Sequence, residues 1–135
     1  MRVMIVEDEA LLALELETEV EAAGHDVVGQ AASSSTAYEL AEKTAPDFAF
    51  VDIQLLDGPT GIDVGKFLAS KNVPYIFVSG NLKRIPDDFA GALGAIEKPY
   101  TMNGLQNALD YLALRVEGGE VPSPPPGLIL ASEVA

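Results

Sequence analysis

The chain contains no cysteine, which excludes disulfide staples and thiolate-held metals together. Cations are scarce as well: 8 Lys and Arg stand against 21 Asp and Glu, for a formal net charge of −13. Such a balance argues against nucleic acid and anionic membranes as direct partners, because both attract Lys- and Arg-rich faces. Long hydrophobic runs are missing too. The apolar opening Met1 to Val6 meets acids at once, too short for a signal-peptide core or a membrane span, so a soluble cytoplasmic protein is expected. The single histidine, His25, follows Gly24 and reads as turn or surface. No internal repeat is present.

What is present fits one domain. The length is 135 residues, and apolar residues make up 48% of them, enough for a core at this size. Short runs rich in Val, Ile and Phe alternate with helical patterns. Strands are expected over Val3–Val6, Val27–Ala31, Phe48–Val51, Tyr75–Val78 and Ala95–Glu97. Leu12, Leu16 and Val20 recur every fourth residue and predict a helix over Ala10–Ala23, with Gly24 as its C-terminal cap and the surrounding acids as a solvated face. Ser33–Ser35 supply caps for a helix through Ala45, which Pro46 stops. Further helices are expected over Ile62–Ser70, after the turn-rich Asp57–Gly61, and over Met102–Val116, capped by Thr101.

Two regions break the alternation. Between Gly80 and Gly94 apolar residues are few and Pro86 falls in the middle, so the fourth helix is expected to be short or irregular. Residues 117–135 begin with Glu117-Gly118-Gly119-Glu120 and continue into Pro122-Ser123-Pro124-Pro125-Pro126, which reads as a flexible tail after a domain over 1–116. Leu128-Ile129-Leu130 within it could dock on the domain or on a partner.

Strands alternating with helices predict right-handed βαβ units, hence a doubly wound α/β fold with a five-stranded parallel sheet. Chemistry in such folds lies beyond the carboxyl ends of the strands. Glu7 and Asp8 follow the first strand, Asp52 ends the third, Ser79 follows the fourth and Lys98 the fifth. Each alone is bland: an acidic pair after a strand is an ordinary polar loop, and Lys98-Pro99 is uninformative. Four strands delivering such residues to one edge are not. Glu7, Asp8 and Asp52 form a hard oxygen set suited to Mg²⁺, which would offset their mutual repulsion. A carboxylate nucleophile with a cation, a lysine and a hydroxyl is the set needed to form an acyl phosphate.

Val-Glu-Asp-Glu at 6–9, Val-Asp-Ile-Gln-Leu at 51–55, Val-Ser-Gly at 78–80 and Glu-Lys-Pro-Tyr at 97–100 resemble the signatures of bacterial two-component response-regulator receiver domains, over about residues 1–116. The resemblance implies a flavodoxin-like fold and phosphotransfer from a phosphohistidine on a sensor histidine kinase or a phosphotransfer protein. By position it makes Asp52 the phosphoacceptor and Asp8 a direct Mg²⁺ ligand. Glu7 would assist through water, and the backbone carbonyl of Gln54 would be a third ligand. Ser79 and Lys98 would contact the phosphoryl oxygens.

The chain also departs from the family. Ala95 stands where an aromatic residue is usual, three residues before the lysine, so the usual ring movement has no ring to act on. Pro74-Tyr75-Ile76-Phe77-Val78-Ser79-Gly80 resembles the Pro-Phe-x-Phe-Ala-Thr-Gly-Tyr motif of an atypical, often single-domain subfamily paired with HWE or HisKA2-type kinases, with Asn81 replacing the final Tyr. The reading is a phosphorylatable regulator acting by protein contact, with no catalysis beyond its own phosphorylation and dephosphorylation. An aspartyl-nucleophile phosphatase would need an acid two residues after Asp52, where Gln54 stands. An unphosphorylated scaffold is the other alternative. The sequence leaves the oligomeric state open.

Overall fold

In the computed structural model, residues 1–120 and 122–131 are described; Val121 and residues 132–135, which belong to the expected tail, lie outside the described residues. The chain runs β1 (Arg2–Val6), α1 (Ala10–Ala22), β2 (Asp26–Ala31), α2 (Ser34–Thr44), β3 (Phe48–Val51), α3 (Gly61–Ser70), β4 (Tyr75–Ser79), β5 (Gly94–Glu97), α4 (Met102–Glu117) and β6 (Leu128–Leu130). The sheet order is β2-β1-β3-β4-β5-β6. The first five strands are parallel, as the alternating pattern predicts for a doubly wound fold.

Pleating divides the central strands between two cores. Met4, Val6, Ala49, Val51, Tyr75 and Phe77 face α2 and α3 through Ala37, Val64 and Leu68. Val3, Ile5, Phe48, Phe50, Ile76 and Val78 face α1 and α4 through Leu16, Val20, Leu105 and Leu109. Both faces of β1, β3 and β4 are therefore covered, which is why these strands read as unbroken apolar runs.

Local chemistry sets the helix ends. The Ser33 hydroxyl accepts from Thr36 N while the Thr36 hydroxyl accepts from Ser33 N, a reciprocal cap that starts α2. α4 starts with Thr101 accepting from Gly104 N and stops at Gly118, whose φ of +80° suits glycine.

Between β4 and β5 no α-helix forms, as Pro86 led one to expect. Two short 3-10 turns, Leu82–Arg84 and Phe89–Gly91, take its place. Phe89 and Ala90 both adopt positive φ, an unfavourable backbone for non-glycine residues. The buried Tyr75 hydroxyl donates to Ala90 O at 2.6 Å and holds that turn against the sheet.

Among the described residues the sheet has one strand more than the five expected. Leu128–Leu130, from within the segment read as a flexible tail, adds β6 antiparallel to β5. Leu128 and Leu130 are buried in the α1/α4 core. β5 is shaped for this neighbour: a Cβ on Gly94 would lie 2.2 Å from the carbonyl oxygen of Ile129. The prolines before β6 lack N–H donors, so the Pro-rich run can only lead to the strand, not extend it.

Truncating either leucine removes a filled side chain from the core. Leu128→Ala and Leu130→Ala should each cost about 2–3 kcal/mol, read as lower urea midpoints at unchanged slope. Midpoints equal to the parent would show that β6 adds nothing to the fold.

Candidate functional site

The parallel ladder places the polar residues together by continuing just past the strand ends. Glu7 N donates to Ala31 O at 2.9 Å, Asp52 N to Val6 O at 2.9 Å, and Lys98 N to Ser79 O at 2.9 Å. Each residue beyond its strand is thus fixed by the neighbouring strand before its side chain does anything. The result is one acidic cluster at the carboxyl edge of the parallel strands.

Glu7, Asp8 and Asp52 each offer a carboxylate oxygen, all within 4.8 Å of one another. Lys98 Nζ donates to Glu7 Oε1 at 2.6 Å and to Asp52 Oδ2 at 2.9 Å. The other oxygens have partners of their own: Glu9 N donates to Glu7 Oε2 at 3.1 Å, and Ile53 N to Asp52 Oδ1 at 2.8 Å. Ser79 is buried, and its hydroxyl accepts from Asn81 N at 3.1 Å. Gln54 lies on the exposed rim, where its side-chain carbonyl accepts from Arg84 at 3.2 Å. The residues expected at the site from four strand ends are therefore gathered on one edge, with Ser79 turned toward its own loop.

Burial dominates the electrostatics. Glu7 is only 7% exposed, and loss of hydration lifts its carboxyl to about 7; the hydrogen bonds from Lys98 and Glu9 N oppose this without cancelling it, and the Asp52 charge adds to it. Burial alone would pull the Lys98 ammonium down, but its bonds to Glu7 and Asp52 and their charges outweigh that and raise it. Lys98 accordingly stays charged, while Glu7 holds a proton up to near neutrality when no other cation is present. One lysine does not balance three carboxylates. The donor set, all hard oxygen and partly buried, fits a small divalent cation such as Mg²⁺.

Three supporting residues carried no distinguishing signal in the sequence. Gly61 opens α3 with its N donating to Ile53 O at 2.9 Å, and a Cβ there would lie 1.9 Å from Asp52 O. Only glycine lets the helix approach the Asp52 peptide so closely. Asp57 accepts from the Ser34 hydroxyl, from the Thr60 hydroxyl at 2.6 Å and from Ser34 N at 3.2 Å. These bonds, the Ser34 hydroxyl's first, hold its carboxyl at about 2 and tie the loop after Asp52 to the start of α2. Arg84 is the third, bridging to Gln54. Each looked like an ordinary turn or surface residue, since its role depends on a partner distant in sequence.

Comparison with known proteins agrees with this geometry. The family model described as the response regulator receiver domain matches residues 3–110. The phyllosphere-induced regulator PhyR of Methylorubrum extorquens is 40% identical over 84 residues, 61% of this chain and 32% of that protein. The transcriptional regulatory protein PdtaR of Mycobacterium tuberculosis is 32% identical over 120 residues, 84% of this chain and 57% of that protein. The chain thus spans only part of the length of these curated relatives. Among solved structures, Brucella abortus PhyR superposes with a TM-score of 0.74 at 36% identity, covering 87% of this chain and 49% of that one. The receiver domain of Erythrobacter litoralis PhyR gives 0.74 at 29% identity, covering 90% and 94%. With its fold and most of its length matched in this way, the chain belongs to the response regulator receiver domain family.

Proposed function

We propose that this receiver domain accepts a phosphoryl group on Asp52 from a sensor histidine kinase or a phosphotransfer protein and signals by protein contact. The observation that carries the proposal is the pairing of Asp52 with Lys98 at 2.9 Å, beside two further carboxylates. A carboxylate oxygen of Asp52 attacks the phosphorus of a phosphohistidine. The new P–O bond forms as the P–N bond breaks, and the imidazole leaves with the electron pair. Such a transfer needs mainly positioning and charge neutralisation.

Asp8 and Asp52 would hold Mg²⁺ directly, Glu7 through water and Gln54 through its backbone carbonyl. Bound there, the cation supplies charge neutralisation and a fixed seat for a phosphoryl oxygen. Lys98 moves its hydrogen bonds from the carboxylates to a phosphoryl oxygen. The Ser79 hydroxyl leaves Asn81 and donates to another. Ala95 packs in the core against Phe77 and Ile129 neighbours with no ring to swing, which favours the segment between Gly80 and Gly94 as the part that reads out the change. Beside the site, Leu12, Glu15, Lys98, Pro99, Tyr100 and Met102 line an open cleft. Met102 in that lining is exposed, an apolar side chain suited to contact with a protein donor.

Two measurements test the proposal. Intact mass after treatment with a small phosphodonor and Mg²⁺ should show a single added phosphoryl group, absent in Asp52→Asn. Labelling that survives this substitution would move the acceptor elsewhere.

The second measurement concerns pH. In the metal-free protein Glu7 titrates at about 7 instead of 4.5. Its folded form therefore binds the proton more tightly than the unfolded chain does. That contribution to stability is fully present below about 4.5 and is lost as pH rises through 7. Mg²⁺ must displace the same proton, so its affinity should rise roughly tenfold between pH 6 and pH 8. Glu7→Gln should flatten that dependence. A pH-independent Mg²⁺ affinity in the parent would remove Glu7 from the metal site.

A further inference from the structure

Phosphorylation leaves the site short of positive charge. Before it, three carboxylates face one lysine, and a divalent cation brings the set to neutrality. Afterwards Asp52 is a neutral acyl group, but the phosphoryl group it carries holds close to two negative charges (about −1.5 to −2 at neutral pH). Glu7 and Asp8 keep theirs. About one positive charge is then missing.

Arg84 is a positive charge held beside this edge by its bond to Gln54. It lies in the 3-10 turn Leu82–Arg84, soon after β4 delivers Ser79, and it bonds across the mouth to Gln54, two residues beyond Asp52. Its partner is a neutral amide. Among the described residues the ion pairs involve Lys71 and Lys98, not Arg84, although acids outnumber bases 21 to 8. The turn that carries it is anchored: Lys83 N donates to Asn81 Oδ1 at 3.0 Å, Arg84 N to Asn81 O at 3.2 Å, and Ile85 is buried directly after. The Ser79 hydroxyl is bonded to Asn81 as well, to its N at 3.1 Å and its carbonyl at 3.3 Å. Ser79, Asn81 and Arg84 are thus one hydrogen-bonded unit, so a movement of Ser79 toward Asp52 is felt by the turn holding Arg84.

We propose that Arg84 is a phosphoryl-binding residue, its guanidinium taking an anionic oxygen of the group on Asp52 from the open side of the site. The proposal rests on the reading of Asp52 as the acceptor. A guanidinium suits the task because it is always charged and can present two parallel N–H donors to one phosphoryl group. A bond to an anionic oxygen is stronger than the one to the Gln54 amide, so the exchange runs toward the phosphoryl group.

The test is Mg²⁺-dependent binding of beryllofluoride, a phosphoryl mimic, to the full chain. The parent is compared with Arg84→Ala, Arg84→Lys, Gln54→Ala and Asp52→Asn, and Mg²⁺ affinity is measured in parallel. Arg84→Ala should weaken beryllofluoride binding by about tenfold or more, Arg84→Lys should recover part of the loss, and Gln54→Ala should lose less. Parental affinity in Arg84→Ala would overturn the proposal. So would an equal loss in Gln54→Ala, which would make Arg84 a brace for the loop, or a matching loss of Mg²⁺ affinity. A parent that binds no beryllofluoride at all would instead remove the reading of Asp52, and the role of Arg84 with it.

Discussion

Negative charge is concentrated where β1 and β3 end, and one partly buried lysine just past β5 holds it. Glu7, Asp8 and Asp52 bring their oxygens within 4.8 Å, and Lys98 reaches two of them at 2.6 and 2.9 Å. Removing hydration from so many like charges is costly unless a counter-charge is present. The raised Glu7 carboxyl and the raised Lys98 ammonium are two signs of that constraint. Without a further cation the arrangement is unfavourable, and the same set of hard oxygens suits a small divalent ion. Strand pairing makes this tolerable, because backbone bonds beyond each strand end fix the residues before their side chains meet.

Most of this was legible because it is periodic or punctuated. Apolar runs of four or five residues at β1, β3 and β4, separated by amphipathic helices, can hardly make anything but a parallel sheet covered on both faces. Pro86 announced the missing helix between β4 and β5. What replaces it was not legible, since the left-handed Phe89–Ala90 pair owes its backbone to tertiary contacts, including the Tyr75 hydroxyl. β6 was ambiguous for a related reason. Leu128-Ile129-Leu130 is too short to carry a period, and the prolines before it suggest an extended tail as readily as a lead-in to an edge strand. The deciding feature is Gly94, in another strand, and its meaning appears only once Ile129 is beside it.

The site divides in the same way. Glu7, Asp8, Asp52, Ser79 and Lys98 could be named because each lies one or two residues past a recognisable strand. Gly61, Asp57 and Arg84 could not, because their partners are Asp52 O, Ser34 and Gln54, brought near only by folding. Nearest the chemistry, this chain differs from the pattern it resembles at Ala95 and Asn81. Asn81 is also the residue through which Ser79 and Arg84 are hydrogen-bonded to one turn.

The charge account is tested most directly by Lys98→Met, with thermal unfolding followed in a metal chelator and again in excess Mg²⁺. Removing the lysine leaves partly buried carboxylates without their counter-ion, which lowers stability. Mg²⁺ supplies the missing charge. The account predicts a large fall in the melting temperature in chelator, and a Mg²⁺-induced recovery greater in Lys98→Met than in the parent. A fall of the same size with and without Mg²⁺ would contradict it, for Lys98 would then matter through packing and not as the charge that holds the acids together.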